Sequence, residues 1–476
     1  MDEDVVTAWK DLCQELAPAF TVRTYVTFLH VATAWALCRS RPAVTGLVQT
    51  VGGRLLGHAA KHWTSYERFF HKAAWSPAEL SRLLLRRVVV PLLDGFAVRE
   101  GGGGGGGGGG GPADYVDVAF DDTTCGRTGR HVAYAGYFKD ASASNVLKKV
   151  CHWSHNWVIA CVTFRCKRWP RRVMALPVLS ELYRKEGDCD KGHPFRTRQQ
   201  MVAGMMRSLR QALPGRRIRA AADGQYATKE VCGALEAGES LVSRMRSDAA
   251  LYAPPPKPRP GARRRRGRPR KRGGRLPPPR VMAARRKRGW REVEVLAYGK
   301  RVKKQVLPVV CLWPRVCKDK PVKLVIARDP AGKQKDDFFF CTDPAAPEEQ
   351  VVERAAARWP IEDVVRDAKQ HGGMEKVQGW CPRTVERQAP VALAVQTLVK
   401  AWYVRHGARA RAARLRPGGH KSCPWLREKK SHPSYLDMLA TLRCALWEDR
   451  LKCNSAPSGR VRSLMKALRF TLCAAQ

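Results

Sequence analysis

Acidic residues are scarce in this sequence: 42 Asp and Glu stand against 87 Lys and Arg in 476 residues, a net charge of +45. A surplus of that size repels itself and calls for a polyanionic partner. Other absences narrow the choice. No apolar run approaches the roughly 18 residues that would span a bilayer, which argues against a membrane protein. The opening Met1-Asp2-Glu3-Asp4 is acidic and lacks the basic start of a signal peptide. None of the 16 cysteines is spaced Cys-x-x-Cys. Scattered through a basic chain of this length, they read as reduced thiols of a cytoplasmic protein. Cys151, His152 and His155 are close in sequence, but no second Cys/His cluster completes four zinc ligands, so they read as core or strand positions. Double-stranded DNA, with about one charge per 1.7 Å of axis, can neutralise the surplus. On DNA the protein would be nucleoid-associated, and nothing in the sequence asks for a small-molecule substrate.

The chain is long enough for two or three domains. Residues 1–98 read as helical, with apolar residues at three- and four-residue spacing through Val22–Leu37 and Ala78–Val90. Between them, His62–Lys72 mixes aromatic and basic residues. It is either an amphipathic helix with its aromatics turned inward or a grip on a DNA backbone. The glycine run Gly101–Gly111 can form no core and marks a linker over 99–112.

After the linker, the alternation of Tyr115–Phe120 predicts a strand that ends on two carboxylates, Asp121 and Asp122. A second strand is expected near His131–Tyr137. The continuous apolar run Trp157–Phe164 predicts a central strand. Thr197–Leu213 reads as a helix closed by Pro214-Gly215, and Arg217–Asp223 as a short strand that again ends on an Asp. Further strands are expected near Val293–Tyr298, Gln305–Trp313, Val322–Ala327 and Phe338–Thr342. A long helix, about 346–371, and a second helical region, Val385–Tyr403, follow. The pattern is an α/β mixed sheet.

Phosphodiester transfer needs little covalent help from a protein. It needs two divalent ions about 3.5–4 Å apart, held by hard oxygen ligands. Carboxylates converging from different rigid elements suffice. The candidates are Asp122, Asp223 and Glu362. Singly, an Asp after a strand is usually a turn or cap residue. Around Glu362, at 100° per residue, Arg358, Glu362, Arg366 and Lys369 fall within about 80° of one another. Ile361, Val365 and Ala368 form a separate apolar stripe. This helix is either a surface laced with i,i+4 salt bridges or a metal-binding carboxylate flanked by cations for phosphate.

The stretch Arg358-Trp359-Pro360-Ile361-Glu362, with Lys369 seven residues after the Glu, resembles the C-terminal signature of insertion-sequence DDE transposases. Asp121-Asp122-Thr123-Thr124 resembles the family's first motif, in which the Asp before Thr is catalytic. That residue is Asp122, with Asp121 a near rival. Ala222-Asp223-Gly224-Gln225-Tyr226 resembles the second motif. The resemblance covers roughly residues 55–410. One departure is Ala355, where the family often has a Tyr implied to contact a DNA phosphate.

The resemblance implies an RNase H-like mixed-sheet core with a β-rich insertion, preceded by the N-terminal helical domain, itself expected to bind DNA. The catalytic domain would run over 113–235 and 346–410, around an insertion at 236–345. A basic tail, 411–476, would follow. Asp122, Asp223 and Glu362 would be both catalytic residues and ligands for two Mg²⁺ or Mn²⁺ ions, while Arg358, Arg366 and Lys369 would bind phosphate. The implied activity is cleavage and joining of transposon ends into target DNA, by a homodimer on DNA. A transposase-derived binder that has lost catalysis, or a nuclease of the same fold that does not join strands, are the alternatives.

From Ala249 to Arg291 the chain carries 17 Lys or Arg and no acid. Pro and Gly punctuate it, so it is expected to be disordered or extended when free. Within it, Arg266-Gly267-Arg268-Pro269-Arg270-Lys271-Arg272 resembles an AT-hook, a thin peptide that reads narrow A·T minor grooves. The alternative is a polycation that binds phosphate without reading sequence.

Overall fold

The computed structural model describes residues 2–39, 42–98, 114–140, 143–145, 147–256, 270–376, 379–409 and 432–454. The glycine run Gly101–Gly111 and the AT-hook-like arginines Arg266 and Arg268 lie outside the described residues.

The first part of the chain is helical: α1 (Asp2–Gln14), α2 (Val22–Leu37), α3 (Val44–Val51), α4 (Trp63–His71), then α5 (Pro77–Leu83), which passes through a π-turn into α6 (Val90–Phe96). A short hairpin, β1 (Arg54–Leu55) with β2 (His58–Ala59), joins α3 to α4. Thr21 caps α2 by accepting the Thr24 N–H at 3.3 Å. In α4, Tyr66, Phe69 and Phe70 are buried and only Trp63 faces outward. The aromatic and basic stretch therefore resolves as an amphipathic helix with most of its rings turned inward. These helices share one apolar core with the sheet that follows. Trp35 fastens them further on, its indole N–H donating to the Gly372 carbonyl at 2.8 Å.

The sheet begins with β3 (Tyr115–Gly126), β4 (Gly136–Lys139), β5 (Cys151–Arg165) and β6 (Val173–Tyr183). Then come α7 (Arg198–Ala212), β7 (Arg217–Ala222), α8 (Lys229–Gly233) and β8 (Ser240–Arg244). In space the strands run β6-β5-β3-β7-β8, antiparallel from β6 to β3 and parallel from β3 to β8. Three antiparallel strands followed by two parallel ones, each reached through a helix, make the RNase H-like core. Thr197 and Gln200 close a capping box at the start of α7. Met201, Val202, Met205, Met206 and Leu209 along α7 are buried at helical spacing.

The insertion contains β9 (Leu251–Tyr252), β10 (Arg275–Leu276), α9 (Pro279–Arg285), β11 (Arg291–Ala297), β12 (Lys300–Leu312), α10 (Pro314–Cys317), β13 (Pro321–Arg328) and β14 (Asp337–Cys341). It extends the same sheet, because β14 pairs antiparallel with β8. Behind it come α11 (Glu348–Ala357), α12 (Pro360–Gln370), α13 (Pro382–Trp402) and α14 (Tyr435–Asn454).

Several expectations are corrected. β3 does not end at its carboxylates; it continues to Gly126 because β5 keeps pairing with it as far as Ser154. The strand expected near His131–Tyr137 lies later, at Gly136–Lys139. The single long helix is two, α11 and α12. Pro360 has no N–H, and the joint is closed by tighter bonds from Trp359 N to Ala356 O and from Ile361 N to Arg358 O. The flanks of the basic segment are ordered: β9 pairs with β10, and Met282 and Ala283 of α9 are buried. A few apolar residues between the charges are enough to seat them. Within 411–476, α14 buries Tyr435, Met438, Leu439 and Leu442, so that part is no mere tail.

Alternation along β3 divides the core. Val116, Val118 and Phe120 face the α7 side, while Ala119 and Cys125 face a second cluster built with Ile361, Val364 and Ala368 of α12 and Ala389 and Leu393 of α13. Among the described residues no helix is long and apolar enough to cross a membrane.

His155, on β5, accepts from Arg127 Nε at Nδ1 (2.8 Å), so its Nε2–H donates to the Ala133 carbonyl (2.8 Å). Burial, aided by Arg127, pushes its pKa down from 6.5 to about 4. Burial, aided by His58 and Lys61, does the same to His30. Both rings should stay neutral down to about pH 4, where unfolded histidines already carry protons. They then favour folding fully above about pH 6.5, and that contribution is lost as pH falls toward 4. Ring-proton NMR titration should show both midpoints well below 6; a midpoint near 6.5 for either would contradict the burial argument.

Candidate active site

Three elements meet where β7 stops and β3 continues. The parallel register pairs Phe120 with Ala222 as the last partners. The next residues on the two strands are Asp121 and Asp223, so they stand side by side. Asp223 begins the turn Gly224–Tyr226, and its carbonyl accepts from Ser243 Oγ at 3.0 Å. Asp121 is odd-numbered like Ala119 and Cys125 and faces α12. There Arg358 reaches it, Nη1 to Oδ2 at 2.6 Å, and also holds Glu362 through Nη2 to Oε1 at 2.8 Å. Asp121, Arg358, Glu362 and Asp223 thus form one charged group. Burial raises the Asp121 carboxyl to about 6; Arg358 opposes this, and Asp122 and Asp223 add to it. Arg358 itself is held more firmly protonated by Asp121, Glu362 and Asp223, against the cost of its burial.

Asp122 is not in this group. Strand alternation turns its side chain to the opposite face, where Asn156, Arg198, Gln225 and Tyr226 all donate to it. The sequence reading takes Asp122 as the first acid with Asp121 a near rival; the register sets Asp121 beside Asp223 and next to the Arg358–Glu362 pair. The motif alone could not place two adjacent acids, but the period of two, applied through a strand that runs past them, puts them on opposite faces.

The other expected residues are spread more widely. Arg366 is exposed and pairs with Asp363 (2.8 Å) and Asp367 (3.6 Å) on its own helix. Lys369 pairs with Glu375 at 3.4 Å, further along the helix from Glu362. Arg270 is exposed, and Lys271 and Arg272 both reach Asp319, at 3.1 and 3.7 Å, so these two brace the hairpin of the insertion. Ala355 packs against the core of the insertion, so its position is used for packing. Cys151 and His152 are exposed and His155 is buried. His152 and His155, an odd number of residues apart in one strand, face opposite sides, so no zinc site forms from them. The insertion also reaches the joint between α11 and α12: Tyr298, at the turn before β12, meets Trp359 edge-on at 5.9 Å, and both rings are exposed.

Asp121, Asp223 and Glu362 offer hard oxygen donors from inside one strand, from the end of another and from a helix, with a guanidinium balancing their repulsion. That donor set suits Mg²⁺ or Mn²⁺. With Arg358 lying between Asp121 and Glu362, no three acidic, His or Cys side chains among the described residues are gathered tightly enough to enclose an ion as they stand. An ion shared by these carboxylates would compete with the guanidinium for Asp121 and Glu362.

Residues 110–303 match the family described as DDE superfamily endonuclease, a span that includes Asp121, Asp122 and Asp223 and stops before Glu362. No curated protein gives a significant match to the chain.

Proposed function

Starting from a chain whose central region is a DDE-type, transposase-like endonuclease domain, we propose that it cleaves DNA strands at transposon ends and joins them to target DNA, using Asp121, Asp223 and Glu362 as metal ligands. The observation that carries this reading is the register of β3 and β7, which sets Asp121 beside Asp223, with Arg358 linking Asp121 to Glu362. Two divalent ions held there would activate the attacking oxygen and steady the leaving one. The protein's own part is positional. The sheet fixes two carboxylates, α12 carries the third, and Arg358 keeps them from repelling one another until the ions arrive. Once released from a carboxylate, Arg358 is placed to hold a phosphate with two N–H groups. The working form is a homodimer on paired ends. The assay is cleavage and joining of paired end fragments with Mg²⁺. Cleavage without any joined product would reduce the function to a nuclease, and no cleavage at all would leave a DNA-binding relative.

The basic segment would clamp the DNA. Neutralising Arg263 to Arg266 should weaken binding and lower the slope of log affinity against log salt by about 0.9 for each phosphate that these side chains neutralise. Folding should hardly change. Affinity measured over a series of salt concentrations checks this; an unchanged slope would mean the four arginines do not meet phosphate. Replacing Arg268 should reduce any preference for A·T over G·C competitor DNA.

A further inference from the structure

The second carboxylate of the Asp121-Asp122 pair has its own hydrogen-bonding shell. Its side chain is 10% exposed. Oδ2 accepts from Asn156 Nδ2 at 2.9 Å and from Arg198 Nη1 at 3.1 Å. Oδ1 accepts from the Tyr226 hydroxyl at 2.8 Å and from Gln225 Nε2. An ionised carboxylate has about four acceptor directions, and all four are engaged. The donors come from β5, from the first turn of α7, and from the turn that follows Asp223. Gln225 and Tyr226 are two and three residues beyond Asp223, and Tyr226 is fully buried. Gln199 Nε2 adds a bond to the Gln225 carbonyl at 3.2 Å. The turn that carries Asp223 away from β7 is therefore hung from Asp122.

We propose that Asp122 is a positioning residue for the metal site: it binds no ion, and it sets the place of Asp223 by anchoring the Gln225–Tyr226 turn and the start of α7 to β3. The proposal rests on the reading of Asp121, Asp223 and Glu362 as metal ligands. Because β3 runs through both acids, one faces the ions and its neighbour faces the scaffold. Asn has one oxygen and no charge. With that oxygen toward Arg198 and Asn156, its NH₂ faces Tyr226 and Gln225, which would have to turn round to accept, so the isostere should still weaken the anchor. Tyr226→Phe is the milder variant, since it removes one donor and keeps the ring in its buried place.

The test is direct Mn²⁺ binding to the full chain, by titration calorimetry or by the EPR signal of free Mn²⁺, with metal-dependent cleavage measured alongside. Asp122→Asn should weaken Mn²⁺ binding about 10-fold or more, as loss of an outer partner of a ligand does. Tyr226→Phe should weaken it about 5-fold, the equivalent of one hydrogen bond. DNA affinity should be unchanged in both, and cleavage should recover at high metal concentration. A Cys in place of a true ligand prefers the softer ion. Asp121→Cys should therefore raise the ratio of Mn²⁺- to Mg²⁺-supported cleavage, while Asp122→Cys should leave it at the wild-type value. Wild-type Mn²⁺ affinity in both Asp122→Asn and Tyr226→Phe would overturn the proposal, as would a raised Mn²⁺/Mg²⁺ ratio in Asp122→Cys. A wild-type chain that binds no Mn²⁺ would instead overturn the metal-site reading on which the proposal stands.

Discussion

Glu362→Ala should lower metal-dependent strand cleavage by at least about 10³-fold, because a lost metal ligand forfeits several kcal/mol of transition-state stabilisation. DNA affinity should stay within about 2-fold of wild type, since the substitution removes no positive charge. Stability should also hold. The Glu362 side chain is 38% exposed, and its ion pair with Arg358 spans one helical turn, a kind of pair that contributes under about 1 kcal/mol. Asp121→Ala should be as severe for cleavage and harder on the fold. Its carboxylate is mostly buried, and removing it leaves the Arg358 guanidinium with one partner fewer in a low-dielectric place. Gel assays of cleavage and binding, run with Mg²⁺ and Mn²⁺, separate these outcomes. Cleavage by Glu362→Ala at the wild-type rate would mean that the carboxylate on α12 takes no part in the reaction.

Arg387→Ala should destabilise the protein by about 3–4 kcal/mol, because it strands buried carbonyls and removes a cation from an aromatic face. Arg387 lies in α13, yet its guanidinium crosses to the N-terminal helices. It donates to the carbonyls of Phe69 (3.4 Å), Phe70 (3.2 Å) and Trp75 (2.6 Å) and sits 4.6 Å from the Trp75 ring centre. Phe69 and Phe70 are in the last turn of α4, where carbonyls have no helical partner, so Arg387 caps that helix from a distance. Arg387→Lys should recover only part of the loss, because an ammonium cannot span three carbonyls as a planar fork does. Denaturant unfolding followed by tryptophan fluorescence would measure it. A change below about 1 kcal/mol would show that water replaces the guanidinium at little cost.

Much of the sheet was legible in the amino-acid pattern. The apolar run Trp157–Phe164 is the heart of β5, the Thr197 cap opens α7, and the four strands expected in the insertion appear as β11 to β14. Two strands of the five-stranded core, β6 and β8, were not legible. β6 contains Pro177, which reads as a strand breaker; it is tolerated because β6 pairs only with β5 and lies at an edge, beside a register shift at Ala160/Cys161. β8 is five residues long and carries serines at both ends of Leu241-Val242, too short for a periodic signal. Those serines are useful only in the fold, where Ser243 holds the Asp223 carbonyl and Ser240 accepts from Arg354.

The charge that demands a polyanion, the order of the acids, and the pairing of Arg358 with Glu362 one helical turn apart are all written in the chain alone. They depend on composition and on short spacings along the sequence, which the chain carries locally. Which of two adjacent aspartates faces α12 was settled only on folding. That choice depends on how far β3 extends, and its extent is set by β5, a strand separated from it along the chain by β4. Each added strand residue turns the side chain to the other face, so continuation of the pairing past Phe120 sends Asp121 to Arg358 and Asp122 to the scaffold.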